Sequence, residues 1–593
     1  MKKSNSKQEH LNSTSLINKV YNFFHDLFYE DTSYNFSLSD TTNPIINQKN
    51  SNYTASNESL NLDNEVTKAL CTKNDKVFPV IDVNLEYIKV RFNSMINSDI
   101  TIREFILNAR GKQYKSFLVY IDGMVDQDIM NNYILKPLML RNLANTFDGN
   151  QNRVISEAKT NNITVRKIKK FDIVESVSDC LLPQNAVSKY TSFDEIVDGV
   201  NSGNCALFID TINIAFDIEV KGFKQRGLDN PNNEIVIRGA QVGFTESLRT
   251  NTSLLRRYIN NENLIIESVS VGKLSKTKCS ICYLKNIANT DLVAEVRYRI
   301  NNIGVDFLTS SGQLEQLIED NTNSSLPQLI ATERPDRTAN LIFEGRIAII
   351  VNGSPYVLIA PAIFADFLAS PEDLNVKTPY SNFIKCLRVV ALVISLLLPS
   401  LYIAITNFHQ GLIPTELLYA IVATRETVPF PIVFEIIVME FAFELIREAS
   451  IRVPSPVGQT IGIVGALILG QAAVEASIVS PILIIIVSLT AICSFAIPDF
   501  SLSFHFRVMR FIYIILAASA GFVGIAAGIC VHILILCSLK SFGVPYLQTN
   551  VFNKKSSNNG VILPSPYKRE ERAKFLKTKR PKMQNKISMK WKY

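Results

Sequence analysis

VVALVISLLLPSLYIAITNF (389–408), ASIVSPILIIIVSLTAICSFAI (476–497) and VMRFIYIILAASAGFVGIAAGICVHILILCSL (508–539) decide the fold class. Each run is near or above the roughly 20 apolar residues that cross a bilayer core about 30 Å thick. All three lie in one block, 386–539, that is apolar almost throughout. The expected architecture is therefore an α+β/α-helical membrane protein. A large N-terminal head of two α/β subdomains precedes a multi-span helical membrane domain of four to six segments at 386–539, and a basic tail follows.

Working outward, the tail (540–593) holds fourteen Lys and Arg against Glu570 and Glu571, a net +12. The whole chain of 593 residues is only +7, so the first 539 residues are net −5. The basic character belongs to the tail, which argues against nucleic-acid binding by the main body. Nine cysteines without a framework spacing fit a reducing compartment. The N-terminus, MKKSNSKQEHLNSTS, lacks the apolar core of a secretory signal, so the head is expected in the cytoplasm.

Residues 1–76 form an Asn/Ser-rich arm, expected to be disordered, with one helically spaced segment, LINKVYNFFHDLFYE (16–30). The first subdomain is expected at 77–200. There VNLEYIKVRF reads as a helix and KSFLVYIDGM (115–124) as a buried strand. DQDIMNNYILKPLML follows as a helix capped by Asp126 and ending near Pro137. The second, β-richer subdomain is expected at 201–375. CALFIDTINIAFDIEV (205–220) reads as two strands, EIVIRGAQVGF (234–244) as a continuing β pattern, and KTKCSICYL (276–284) as a strand. Helices are expected at 247–259, 290–303 and 311–320. In RIAIIVNGSPYVLIAP (346–361), Asn352-Gly353 between apolar runs signals a type I′ hairpin.

The head offers little chemistry. Asp122, Asp126 and Asp128 could suggest a cation site, but capping and turn roles explain them more simply. Cys279 and Cys282 form a lone CxxC inside a strand, with no second ligand pair for zinc. No phosphate loop, nucleophile elbow or Ser/His/Asp set is present. The expectation is no enzyme, no cofactor and no metal.

Five apolar segments can be drawn in the membrane block: 389–408, 417–449, 457–474, 476–497 and 508–539. The charges between them broadly follow the positive-inside rule, with Arg447, Arg452, Arg507 and Arg510 on the head's side. A single crossing by the fifth segment would place the basic tail on the wrong side. That segment is long, and Gly521, Gly524 and Gly528 lie near its middle, where a hairpin could fold back. Alternatively, the second segment is interfacial and the fifth is one tilted helix. The second segment is broken by Pro429 and Pro431 and carries Glu435, Glu440 and Glu444. These acids are candidate ion-path residues, because an ionisable group at membrane depth normally faces a cavity or partner. The competing reading is an amphipathic interfacial helix with solvated acids. In GQTIGIVGALILGQ (458–471), Gly458, Gly462 and Gly465 are candidate helix-packing positions, and Gln459 and Gln471 could bond between helices. The tail's cations could meet anionic membrane lipid.

Five motifs, in order, carry a resemblance. GAQVGFTESLRTNTSLLRR (239–257), VGKLSKTKCSICYLKNIAN (271–289), GQLEQLIEDN (312–321), ATERPDRTANLIFEGRIAIIVNGSPYVLIAPAIF (331–364) and CSLKSFGVPYL (537–547) resemble the A subunits of GerA-type spore germinant receptors. The resemblance runs from about residue 110 to 550. It implies nutrient sensing and signalling at the spore inner membrane, with a permease-like B subunit and a lipoprotein C subunit as partners. It also implies a homo-oligomeric ring that conducts ions. The alternatives are a non-conducting scaffold that relays the state of the permease-like partner, or a secondary transporter. The short block without matching halves argues against a transporter.

Overall fold

The computed structural model describes residues 36–39, 76–109, 112–139, 173–184, 186–222, 231, 234–452, 470–548 and 562–584. The segment 16–30, Gly458, Gly462, Gly465 and Gln459 lie outside the described residues.

The head is built from two five-stranded antiparallel sheets. The first holds β1 (Ile100–Ala109), β2 (Lys112–Ile121), β3 (Val187–Tyr190), β4 (Cys205–Ile209) and β5 (Ala215–Ile218), in the order β1-β2-β4-β5-β3. Alternate residues of each strand feed opposite faces. On one face Phe117, Val119 and Phe208 pack on α1 (Ile81–Arg91) and α2 (Phe193–Asn201). On the other, Leu118, Leu207 and Phe216 pack on the helical segments around 127–139 and 173–181. β4 and β5, expected from the sequence in the second subdomain, complete this first sheet.

The second sheet holds β6 (Leu264–Val271), β7 (Thr277–Leu284), β8 (Ile330–Thr332), β9 (Ile347–Val351) and β10 (Val357–Ala360), in the order β6-β7-β9-β10-β8. This repeats the strand order of the first sheet. Its helices are α3 (Leu248–Tyr258), α4 (Thr290–Asn301), α5 (Ser311–Ile318) and α6 (Pro335–Glu344). The two units are joined at a buried seam. Arg256 donates to both carboxylate oxygens of Asp99 at 2.8 and 2.9 Å, and Asn97 bonds the backbone of Leu264 and Ile266.

Two local expectations change. Residues 234–244 form no strand: Ile235 and Ile237 point outward, and Gly239 (φ 151°) leaves the extended path. The β9–β10 connection spans 352–356, with Ile350 facing Val357, so it is wider than a two-residue type I′ turn. Its turn is instead tied sideways: Gly353 N donates to Glu246 O at 2.8 Å, and Leu248 N to Asn352 Oδ1 at 3.2 Å.

The helical region begins with α7 (Thr378–Phe408), followed by α8 (Thr415–Arg425), α9 (Ile432–Arg452), α10 (Pro481–Phe495) and α11 (Phe500–Ser538). Of these, α7 and α11 are long and apolar enough to cross a membrane. However, α11 is not straight. At Gly521 the backbone takes φ 59°, ψ −134°, and the helix doubles back. His505 and His532, 27 residues apart, bring their Nε2 atoms to 3.4 Å. A straight helix would separate them by about 40 Å. The legs are so close that a Cβ on Gly524 would lie 2.1 Å from Leu516 O. The tip meets the far end of α7, where Phe408 abuts Gly521. Both hairpin ends return to the head: His505 Nδ1 lies 2.6 Å from Ser325 Oγ, and Phe542 N donates to Asp320.

The described tail then lies on the head. Arg572 donates to Phe343 O, Arg580 O and Lys582 O, and Lys577 Nζ to Leu38 O. Lys579 Nζ also donates to Lys285 O at 3.1 Å, so within residues 562–584 Arg572 and Lys579 bond the head directly.

Candidate functional site

The second apolar segment divides where its prolines predict. Helix α8 is only 11 residues and α9 is 21, with Pro429 and Pro431 in the link. Pro431 lacks the N–H an uninterrupted helix would use there, and its ring would clash with the preceding turn. Glu440 and Glu444, four residues apart, share a face of α9 that meets the first leg of α11, whereas Glu435 lies round the helix, against α8 and the start of α10.

Each of the three acids meets arginine. Glu435, 2 % exposed, accepts from Arg425 Nη2 at 3.3 Å and from Ser480 N at 3.1 Å, at the start of α10. Glu440, 1 % exposed, is bonded by Arg510 of α11, itself 2 % exposed. Glu444 accepts from Arg447 Nη1 at 3.0 Å and from Arg507 Nη1 at 3.3 Å. Arg447 also reaches Ser494 Oγ at 2.8 Å and lies 4.6 Å over the Phe495 ring. The result is a ladder of three carboxylates and four guanidiniums. In this conformation the acids are not a bare anionic lining. They tie α9 to α8, α10 and the hairpin.

The ladder is not fully satisfied. Glu440 Oε1, Arg510 Nε, Arg510 Nη2 and Arg447 Nε are buried with no hydrogen-bond partner among the described residues. Buried polar atoms of this kind normally hold water or a partner. Arg510 and Arg507 were expected only as flanking charges on the head's side. A single cation inside the run VMRFIY (508–513) is itself a signal, since such a charge at membrane depth needs a counter-charge.

The other sequence candidates have separate local roles. Asp126 caps its helix, accepting from Asp128 N at 2.9 Å and Ile129 N at 3.1 Å, while Asp122 pairs with Arg249 at 2.5 Å. Cys279 and Cys282 face opposite sides of β7, in different cores, so their thiols cannot converge on one ion. Burial pushes the Cys279 thiol up to about 12, well away from a thiolate at neutral pH.

The GerA model, described as Bacillus/Clostridium GerA spore germination protein, matches residues 86–575. Spore germination protein KA of Bacillus subtilis is 39 % identical over 472 residues, covering 80 % of this chain and 82 % of that protein. Spore germination protein GerLA of Bacillus cereus is 35 % identical, covering 81 % and 93 %. The N-terminal domain of the A subunit of the Bacillus megaterium spore germinant receptor GerK3 is 32 % identical at a TM-score of 0.34, over 49 % of this chain and 97 % of that one. With the family model spanning most of its length, this chain belongs to the GerA family of spore germination proteins.

Proposed function

We propose that this chain is the A subunit of a nutrient-sensing germinant receptor at the spore inner membrane. It oligomerises and forms a nutrient-gated ion path whose opening triggers germination. The partners are a permease-like B subunit and a lipoprotein C subunit. In this reading α7, α9, α10 and the two legs of α11 lie in the membrane, and the basic tail is on the cytoplasmic side with the head.

One observation carries the ion path: a buried, incompletely satisfied Glu–Arg ladder among apolar helices. Charged groups at membrane depth cost a few kcal/mol and are commonly retained for function. Opening would part Glu440 and Glu444 from their arginines and expose carboxylates to permeating cations. Spores carrying Glu440→Gln or Glu444→Gln are expected to release ions abnormally on nutrient addition, with release normalised to receptor abundance. Normal release by both would remove the ladder from the ion path. The closed pairing also favours a second reading, a scaffold that relays a partner's state without conducting. Ion flux through liposomes containing the purified chain separates the two.

A further inference from the structure

Residues 234–240 form a loop whose construction is out of proportion to its solvent exposure. Its ends are held by Arg334, whose side chain is fully buried. Arg334 donates through Nη1 to Glu234 O at 3.0 Å and through Nη2 to Ala240 O at 2.6 Å, while Asp336 holds the guanidinium from the other side at 2.9 Å. The Glu234 carboxylate is bonded in addition by Thr332, Glu333 N and Arg337. Between these clamps Val236 is buried, so its two neighbours turn outward. Ile235 is 79 % exposed and Ile237 92 %. Arg238 beside them is exposed as well. Leaving such side chains in water forgoes favourable burial, and a rigid clamp prevents the loop from hiding them.

The loop's position supplies the occupant. A Cβ on Gly239 would lie 2.7 Å from the Asn375 side chain, three residues before α7 begins. The other end, Glu234, is in electrostatic reach of Asp499, the N-cap of α11. The loop therefore sits between the two points where the chain leaves the head for its long apolar helices. Asp373, two residues before Asn375, is paired with Arg388 at 2.6 Å, directly before the apolar run of α7. This brings the loop toward the level at which that run starts.

We propose that Ile235 and Ile237 insert into the head-side leaflet of the bilayer as a fixed aliphatic knuckle, with Arg238 at the lipid phosphates. Aliphatic side chains beside a cation match the boundary between acyl chains and anionic headgroups. The knuckle sets the height and tilt of the head over the membrane. This rests on the membrane reading of α7 and α11, and the test separates the two.

Trp591 is the chain's single tryptophan. In a Trp591→Phe background, Ile235→Trp and Ile237→Trp are reconstituted as full-length protein in vesicles of phosphatidylglycerol and phosphatidylcholine. Ile515→Trp, on the exposed face of α11, reports on the membrane reading itself. The expected result is blue-shifted emission from both loop variants and a loss of fluorescence with lipid brominated near the top of the acyl chain. Emission typical of water and quenched by acrylamide would overturn the proposal. So would blue-shifted emission indifferent to brominated lipid, which would mean that protein, such as a second copy of the chain, covers the loop. If Ile515→Trp is not quenched by brominated lipid, the membrane reading fails. If it is quenched and the loop variants are not, only the knuckle fails.

Discussion

Glu440→Gln is the most informative single change. The Glu440–Arg510 pair is almost completely buried, and Arg510 has no hydrogen-bond partner for Nε or Nη2 among the described residues. Removing one partner leaves an uncompensated buried guanidinium, and losses of this kind run to about 3–5 kcal/mol. Replacing both partners with apolar residues of similar volume removes that penalty and is often neutral or stabilising. The expected pattern is therefore strongly non-additive. Glu440→Gln, Glu440→Met and Arg510→Met each destabilise, while Glu440→Met with Arg510→Met regains most of the loss. With single losses of about 3–5 kcal/mol each and most of that regained in the double variant, the coupling energy should be at least about 3 kcal/mol, the top of the range for residues in direct contact. The assay is unfolding of the purified full chain in mixed detergent micelles, followed by circular dichroism. Single-variant penalties that add within about 0.5 kcal/mol would refute the pairing.

Other perturbations probe other parts of the molecule. Gly521→Ala forces an L-residue into φ 59°, ψ −134° against Phe408, at a cost on the order of 1–3 kcal/mol; the melting temperature in detergent should fall, and an unchanged value would argue against the hairpin. Burial raises the Glu319 carboxyl to about 8 with help from Glu315, and burial with Asp499 raises Glu315 to about 7. Since unfolded carboxylates ionise near about 4.3, the folded state holds these protons more tightly, and their stabilisation is lost as pH rises from about 4.3 to 8. Glu319→Gln should flatten that decline, measured as melting temperature at pH 6 and pH 8. Asp126→Ala removes a helix cap and should cost about 1 kcal/mol in denaturant unfolding.

Local chemistry made much of this legible. The Asp126 cap, the strand ending at Asp122-Gly123, the proline break before α9 and the glycines at the hairpin tip all act over a few residues. The apparent strand at 234–244 failed for an instructive reason. Its Ile-Val-Ile run is genuine, but the carbonyls of Glu234 and Ala240 on either side of it are taken by Arg334, about a hundred positions away in sequence. β4 pairs with β2 and carries β5 into the first sheet, because a strand's sheet is chosen by its partners. β4 and β5 carry the same apolar signature whichever sheet they join.

By itself the sequence determined the division into head, apolar block and basic tail, and the family, because composition and motif order do not depend on folding. It also determined that three acids follow a proline break in an apolar segment. Only the tertiary structure decided what those acids face. Arg425, Arg507 and Arg510 lie 10, 63 and 70 residues from the carboxylates they meet. A low-dielectric interior forces buried charges to find partners wherever packing brings them. The same packing joins the two head units at their seam and folds α11 back on itself, so a region that reads as an acidic path is, in this conformation, a closed ladder of ion pairs.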